Sequence, residues 1–119
     1  MKKLLLSALL LSVSVLSAAD ATGLWVGKGA KADPKYGMIP ATFKVGITQA
    51  GSKITGFLMR DKHEAVNFTS GAISGNEITI SYREDTNIVT GHLTLSGTEV
   101  TGRLTSTSGE VYNFAATKQ

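Results

Sequence analysis

Residues that could bind or react are few in this 119-residue chain, and their types point to binding rather than catalysis. The chain has no cysteine to act as a thiol nucleophile and no Gly-x-Ser-x-Gly motif of a serine hydrolase. Its carboxylates are scattered, so no pair is set apart for acid–base chemistry. Asp61, His63 and Glu64 lie close together, but their spacing fits no familiar zinc motif. The sequence predicts a protein that is not an enzyme and that uses no metal and no cofactor.

Cationic, aromatic and thioether side chains supply the candidate ligand-binding residues. Arginine and histidine hydrogen-bond to anionic groups, tyrosine offers a ring and a hydroxyl, and methionine adapts its shape to apolar groups. The predicted ligand-binding residues are Tyr36, Met38, Arg60, His63, Tyr82 and Arg83. Whether these side chains meet depends on the elements that carry them.

Those elements are β-strands. From residue 23 onward, apolar and polar residues alternate with a period of two, and threonine, valine and isoleucine are abundant. Short connections rich in glycine, asparagine, aspartate and serine separate the alternating segments. The pattern predicts eight strands, at residues 23–31, 41–49, 53–60, 65–74, 77–84, 88–96, 99–106 and 110–118.

A repeated segment indicates that these strands form successive hairpins. Residues 51–58 (GSKITGFL) recur as residues 97–104 (GTEVTGRL), and a shorter copy begins at Gly75. The interval between copies equals two strands with their turns, so the repeating unit is a hairpin. An open eight-stranded meander would leave two bare edges and an uncovered apolar face. We therefore predict an all-β fold, an eight-stranded antiparallel up-and-down β-barrel.

The same alternation predicts which side chains fill the barrel. The inward set is Trp25, Phe43, Val45, Ile47, Ile54, Leu58, Val66, Phe68, Ile78, Ile80, Tyr82, Val89, Leu93, Leu95, Val100, Leu104, Tyr112 and Phe114. Phe57 and Met59 fall on the outward side although they are apolar. The sequence leaves three explanations open for them: a bulge, an exposed patch or a different register.

In a meander, successive connections alternate between the two ends of the barrel. The longer links, at 32–40, 61–64, 85–87 and 107–109, then share one end, and the short glycine turns share the other. Ligands enter small barrels through a mouth, so the end with the longer links is the predicted site. Residues 32–40 contain both prolines of the chain, and we predict a loop there, which is either an ordinary packed connection or a lid folded over the mouth.

The first residues have the pattern of a signal peptide. Lys2 and Lys3 precede an apolar stretch at 4–16, and small residues follow at 17–19. This predicts a signal peptide at 1–19, a single barrel domain at 20–119, and a periplasmic or secreted protein without a membrane span. Without the leader, ten Lys and Arg remain against nine Asp and Glu, a net charge of +1 with no basic run. Nucleic-acid binding is therefore not expected, and we expect a monomer.

Both ends of the barrel domain resemble the calycins, the superfamily of lipocalins and avidins. Gly23 and Trp25 form a Gly-x-Trp motif at the start of the first strand, and residues 114–118 (FAATK) resemble the last strand of many small exported bacterial barrels. The resemblance implies that Gly23 and Trp25 close one end of the barrel and that Lys118 packs across the indole, as a basic residue does in lipocalins. One tryptophan does not match the several that surround biotin in avidins.

Two functions remain open at this point. The first is lipocalin-like binding of a small apolar or amphipathic molecule. The second is a protein–protein module, such as an inhibitor of an exported hydrolase (a lysozyme or a protease). Residues 106–112 (STSGEVY) resemble the Ser-x-Ser-Gly-x-x-Tyr loop of bacterial inhibitors of c-type lysozyme. That resemblance nominates Ser106, Ser108 and Tyr112 for contact with the cleft of such a partner.

Overall fold

The computed structural model describes residues 20–119, which form one antiparallel β-sheet that closes on itself. Its strands are β1 (Gly23–Asp33), β2 (Gly37–Ala50), β3 (Lys53–Arg60), β4 (Val66–Asn67), β5 (Ser70–Ser74), β6 (Glu77–Glu84), β7 (Asn87–Ser96), β8 (Glu99–Ser106) and β9 (Val111–Lys118). Each strand pairs with its neighbour along the chain, and β9 returns to β1. Since β4 and β5 are two parts of one barrel strand, the predicted eight-stranded barrel is confirmed. The predicted signal peptide at 1–19 lies outside the described residues.

The barrel closes at a tight seam between β1 and β9. Their pairing runs from Trp25 opposite Lys118 to Lys31 opposite Tyr112. At Gly27 a Cβ atom would lie 1.9 Å from the backbone oxygen of Ala115. The two strands approach this closely only because glycine has no side chain. Across residues 20–119, no helix has the length and apolar character needed to cross a membrane.

A β-bulge divides the fourth barrel strand. Phe57 of β3 pairs with Asn67, and Lys53 of β3 pairs with Ala72. Between these pairs β3 advances by four residues and its partner by five, so one extra residue is accommodated near 68–69. The prediction of a continuous strand at 65–74 was therefore wrong.

The bulge changes which residues of this strand point inward. Val66 and Phe68 pack against the core before the bulge, whereas Ile73 is the buried residue after it. Strict alternation from Val66 would place Ile73 outside. The extra residue at the bulge is the physical reason for the difference.

The core otherwise follows the predicted alternation. Fifteen of the eighteen predicted inward residues are buried, and Val66, Phe68 and Tyr112 are partly buried against them. The buried set also contains Ala21, Ala41, Ile73 and Ala116. The interior of the barrel is therefore occupied by its own side chains.

Phe57 and Met59 lie on the outer surface in the predicted register. Gly46 of β2 is directly opposite Phe57. A Cβ atom on Gly46 would lie 2.3 Å from a ring carbon of Phe57, so the phenyl ring covers the gap that the glycine leaves. Of the three explanations left open, a half-buried outer patch is the one observed.

The predicted loop at 32–40 is a β-hairpin instead. Pairing between β1 and β2 continues to Asp33, the last residue of β1, opposite Gly37, the first residue of β2. It leaves a turn of only three residues, 34–36. The turn is fixed by the Asp33 carboxylate, whose Oδ1 accepts backbone N–H bonds from Lys35 and Tyr36, both at 2.8 Å. Because the chain satisfies its backbone as a two-stranded ribbon, this segment extends beyond the barrel and does not form a loop over it.

Pro40 lies on the free edge of this ribbon. Thr42 donates its backbone N–H to Asp61 Oδ1 at 2.8 Å and accepts the Asp61 N–H at 2.8 Å, so its backbone groups point toward β3. Pro40 lies two residues before Thr42, so its backbone faces the same side as that of Thr42, at a position beyond the last residue of β3. Proline has no N–H, so this edge lacks a donor at the position where a neighbouring strand would need one.

Candidate functional site

The mouth of the barrel is formed by the β1–β2 hairpin and by the connections after β3, β6 and β8. The turns after β2, β5 and β7 lie at the opposite, closed end, together with the start of β1. The strands fix the last side chains that point inward before each connection at the mouth. These side chains form the rim of the candidate site.

Two adjoining clefts open at the mouth. The larger has a volume of about 540 Å³ and is lined by Arg60, His63, Glu64, Val66, Arg83, Glu84, Asp85, Asn87 and Glu110. The smaller has a volume of about 210 Å³ and is lined by Lys31, Ile39, Pro40, Ala41, Arg60, Asp61, His63 and Tyr112. Arg60 and His63 belong to both clefts, so they lie where the two meet.

Arg60 is the last residue of β3 and is held by two contacts. Its guanidinium carbon lies 4.8 Å from the centroid of the Tyr112 ring, a cation–π distance. Its Nη2 lies 3.3 Å from Glu84 Oε2, and the Arg60 side chain is 14% exposed. Guanidinium carries five N–H donors, and the contact with Glu84 engages one of its nitrogens. Arg60 is therefore a mostly buried cation that is held in place where the two clefts meet.

Aromatic rings lie beneath this cation. Phe43 makes an edge-on contact with Tyr112, at a centroid distance of 6.0 Å, and stacks on Phe114 at 4.7 Å. Tyr82 is buried, and burial raises the pKa of its phenol well above the ordinary value; Glu84 raises it further and Arg60 opposes the shift. Burial also raises the pKa of Tyr112. Both phenols are therefore neutral at ordinary pH.

A second ion pair joins the hairpin to the β8–β9 connection. Lys31 Nζ lies 2.7 Å from Glu110 Oε2. This hydrogen bond is the main reason why the pKa of Lys31 is raised. The pair ties the base of the β1–β2 hairpin to the rim of the mouth.

The structure brings some of the predicted ligand-binding residues together and separates others. Arg60, His63 and Arg83 line the clefts, and Tyr82 lies below them in the core. Tyr36 and Met38 are on the projecting hairpin, 71% and 61% exposed, and line neither cleft at the mouth. They are separated from the rest because the segment that carries them is a strand ribbon rather than a loop over the mouth.

Sequence reasoning missed three charged residues at the rim. Lys31, Glu84 and Glu110 lie at or next to the mouth ends of β1, β6 and β9. Each lies an even number of residues from an inward-pointing side chain of its own segment: Lys31 from Trp25, Glu84 from Tyr82 and Glu110 from Tyr112. All three therefore have inward parity. The sequence pattern that indicates such residues is a charged residue that has inward parity and lies at the end of a strand.

At the closed end, Trp25 is fully buried and donates its indole N–H to the Ala21 backbone oxygen at 2.9 Å. Lys118 Nζ lies 5.8 Å from the centroid of the indole, and the Lys118 side chain also covers Gly23. Ala21 in turn donates its N–H to Gln49 Oε1 at 2.9 Å. Residues from both ends of the described chain thus seal the bottom of the barrel.

The residues of the inhibitor hypothesis do not form one exposed surface. Ser106 is 8% exposed, and its Oγ accepts a hydrogen bond from the Ser108 hydroxyl at 2.9 Å. The backbone N–H of Ser106 donates to the backbone oxygen of Glu110 at 2.9 Å, and this bond closes the β8–β9 turn. Tyr112 is half-buried beneath Arg60. As placed, the hydroxyl of Ser106 is engaged within the turn.

Within residues 20–119, no three His, Cys, Asp or Glu side chains are grouped closely enough to hold a metal ion. A scan against protein-family models and a search among curated proteins give no match to this chain. The function of the protein must therefore be inferred from its own geometry.

Proposed function

We propose that the protein is a calycin-like, exported binding protein that holds a small amphipathic molecule in the clefts at its mouth. The observation that carries this proposal is the placement of Arg60 where the two clefts meet. A cleft of about 540 Å³ is within the range of small-molecule sites in proteins. The barrel supplies a rigid scaffold for the residues at the rim.

The filled interior favours an amphipathic ligand over a purely apolar one. Large buried side chains occupy the barrel axis, and the clefts are rimmed by charged groups. A molecule at the mouth therefore meets charge at the rim before it meets the aromatic rings below. An apolar molecule without a polar group would remove water from those charged groups and offer them no polar partner in exchange.

Arg60 favours an anionic polar group on the ligand even though Glu64, Glu84, Asp85 and Glu110 also line the larger cleft, because the contact with Glu84 engages only one nitrogen of its guanidinium. A carboxylate or sulfonate is the natural partner of a guanidinium, which forms paired, charge-assisted hydrogen bonds with it. The apolar part of the same molecule would then lie over Tyr112 toward Ile39 and Pro40 in the smaller cleft. Arg83 and His63, also at the rim, add further polar contacts.

Two probes of equal chain length test this proposal. Octanoate and 1-octanol share an apolar chain but differ in charge, and their binding is measured by isothermal titration calorimetry with the chemical shifts of cleft residues followed by NMR. We expect octanoate to bind more tightly, with shifts at Arg60, His63 and Tyr112. Arg60→Met should weaken octanoate binding by about tenfold or more, because a charge-assisted hydrogen bond is lost.

Arg103→Met is the matched control, because Arg103 lies on the outer wall of β8 and lines neither cleft at the mouth. It should bind octanoate as the unaltered protein does. Equal weakening in both variants, or shifts confined to the outer wall, would contradict a ligand site at the mouth. Native mass spectrometry of the protein from its own host adds a direct check, since a retained small molecule increases the measured mass.

A further inference from the structure

The outer surface of the barrel has two unlike sides. We call the outward-facing residues of β9, β1, β2 and β3 the lysine face. Within the described part of the chain, its charged strand residues are Lys28, Lys44 and Lys53, all exposed, and no carboxylate occupies an outward strand position there. The opposite wall, β5 to β8, carries serines and threonines with charges of both signs: Glu77, Arg83, Glu99 and Arg103. Closing a barrel does not require this separation.

Apolar side chains surround the central lysine of the lysine face. In one cross-strand row, Lys44 of β2 stands between Val26 of β1 and Met59 of β3. In the next row, Leu24 and Phe57 flank Gly46. Leu24 is 40% exposed. Lysine and apolar side chains thus alternate over three adjacent strands on a surface in contact with solvent.

The β1–β2 hairpin extends the lysine face beyond the barrel. Met38 has the same outward parity as Lys44 and is 61% exposed, and Tyr36 in the turn is 71% exposed beside Lys35. Two carboxylates near the hairpin accept backbone N–H bonds: Asp33 in the turn, and Asp61 from Thr42. The face and its extension therefore combine positive charge with exposed apolar area.

We propose that the lysine face lies on an anionic lipid surface. The lysine face carries three lysines and no carboxylate at an outward strand position, so its positive charge is complementary to anionic headgroups. Lysine stems lie along apolar groups while their ammonium groups reach polar ones, and tyrosine favours the interface between lipid and water. The two clefts at the mouth are not lined by these lysines. A convex face of this composition suits a deformable lipid surface. The proposal does not depend on the ligand at the mouth.

Vesicle co-sedimentation tests the proposal. The full chain is mixed with vesicles of phosphatidylcholine alone or with about one third phosphatidylglycerol, and the bound fraction is measured. We expect the partition coefficient to be at least about tenfold higher on the anionic vesicles and to fall as salt is raised. Lys2 and Lys3 would themselves favour anionic vesicles, so every measurement is repeated on a chain that begins at Asp20.

Two matched pairs of variants locate the contact. Lys44→Glu should abolish the preference for anionic vesicles, whereas Arg103→Glu, the same charge reversal on the opposite wall, should keep it. Leu24→Ser should reduce binding, whereas Ile88→Ser should not, although Ile88 is 45% exposed and Leu24 40%. Circular dichroism checks that each variant is folded.

Three outcomes would overturn the lipid proposal. The first is equal binding to both kinds of vesicle, or none. The second is equal loss in the two members of a pair. The third is unchanged vesicle binding in Lys44→Glu and Leu24→Ser with altered self-association in analytical ultracentrifugation, which would make the face an interface between copies of this chain.

Discussion

Tyr82 shows how one residue links the core to the mouth. Its ring is part of the buried set, and Glu84 and Arg60 of the rim both influence its hydroxyl. Burial is the largest cause of its raised pKa, because a phenolate in this position would lose most of its hydration. The folded chain therefore holds this proton more tightly than the unfolded chain does.

This raised pKa predicts loss of stability at alkaline pH. The stabilisation is fully present below pH 10, the ordinary pKa of tyrosine, and is lost as pH rises through the folded-state pKa, because above pH 10 only the unfolded chain releases the proton. We expect the free energy of unfolding to fall by up to about 1.4 kcal/mol per pH unit above pH 10 from this group. Urea denaturation at a series of pH values, followed by circular dichroism, measures it.

Tyr82→Phe should make this alkaline decline shallower. Some decline should remain, because the pKa values of Tyr112 and Lys31 are also raised. Tyr36→Phe, a change of an exposed tyrosine, is the matched control and should leave the decline unchanged. A slope that is the same in Tyr82→Phe and the unaltered protein would contradict the assignment.

At the scale of residues, residue type points to basic side chains that line the larger cleft but not to the charged groups beside them. Arg60, His63 and Arg83 were nominated by type, and they line the larger cleft. Glu84 and Lys31 were missed because charged residues were assumed to face solvent, whereas the last inward position of a strand lies at the rim and has access to water. Parity and position along the strand together indicate which charged side chains lie at the rim, whereas residue type alone does not.

At the scale of elements, closure depends on how closely β1 approaches β9. A Cβ atom on Gly27 would meet backbone atoms of the neighbouring strand, which cannot move without opening the pairing. At Gly91, by contrast, a Cβ atom would meet only side-chain atoms of Leu104 and Ile80, the nearest at 2.8 Å. Side chains can change rotamer, so the same substitution has different costs at the two positions.

Gly27→Ala should therefore destabilise the barrel more than Gly91→Ala. We expect a loss of more than about 3 kcal/mol for Gly27→Ala, and about 1 to 3 kcal/mol for Gly91→Ala as ordinary overpacking. Urea denaturation of both variants gives the comparison, and hydrogen exchange of the β1 and β9 amides shows whether the loss is centred on the seam. A larger loss for Gly91→Ala would mean that the seam is not the constraint.

The strands and their order followed from alternation and turn residues, but two irregularities did not. The bulge near Phe68 adds one residue within a segment predicted as one strand, and the alternation of residues does not show where the extra residue falls. The hairpin turn at 34–36 contains Pro34 and is flanked by Asp33 and Gly37, residue types that also occur in longer loops. Its extension as a ribbon depends on pairing between β1 and β2, a tertiary outcome that local composition does not specify.

At the scale of the whole molecule, the first buried residue of the described chain lies close to the predicted cleavage site. Ala21 is fully buried and bonded to both Gln49 and Trp25, whereas Asp20 is exposed. Removal of residues 1–19 would leave these bonds in place. Removal of two more residues would leave the indole N–H without its acceptor.

We expect the exported protein to begin at Asp20, which an intact-mass measurement on material recovered from the cell envelope or medium will show. A chain that begins at Thr22 should be less stable by about 1 to 3 kcal/mol, the cost of a buried donor without a partner. Thermal denaturation of the two forms measures the difference. A recovered mass that includes residues 1–19, or equal stability of the two forms, would contradict this boundary.

Trp25 is the single tryptophan of the chain, and it is enclosed at the end opposite the mouth. Intrinsic indole emission is therefore a signal from one known place, and its wavelength follows the sealing of the barrel floor. A molecule that occupies the clefts at Arg60 changes this signal only if its effect crosses the packed interior. The chain thus carries a built-in optical probe that separates events at the two ends of the barrel.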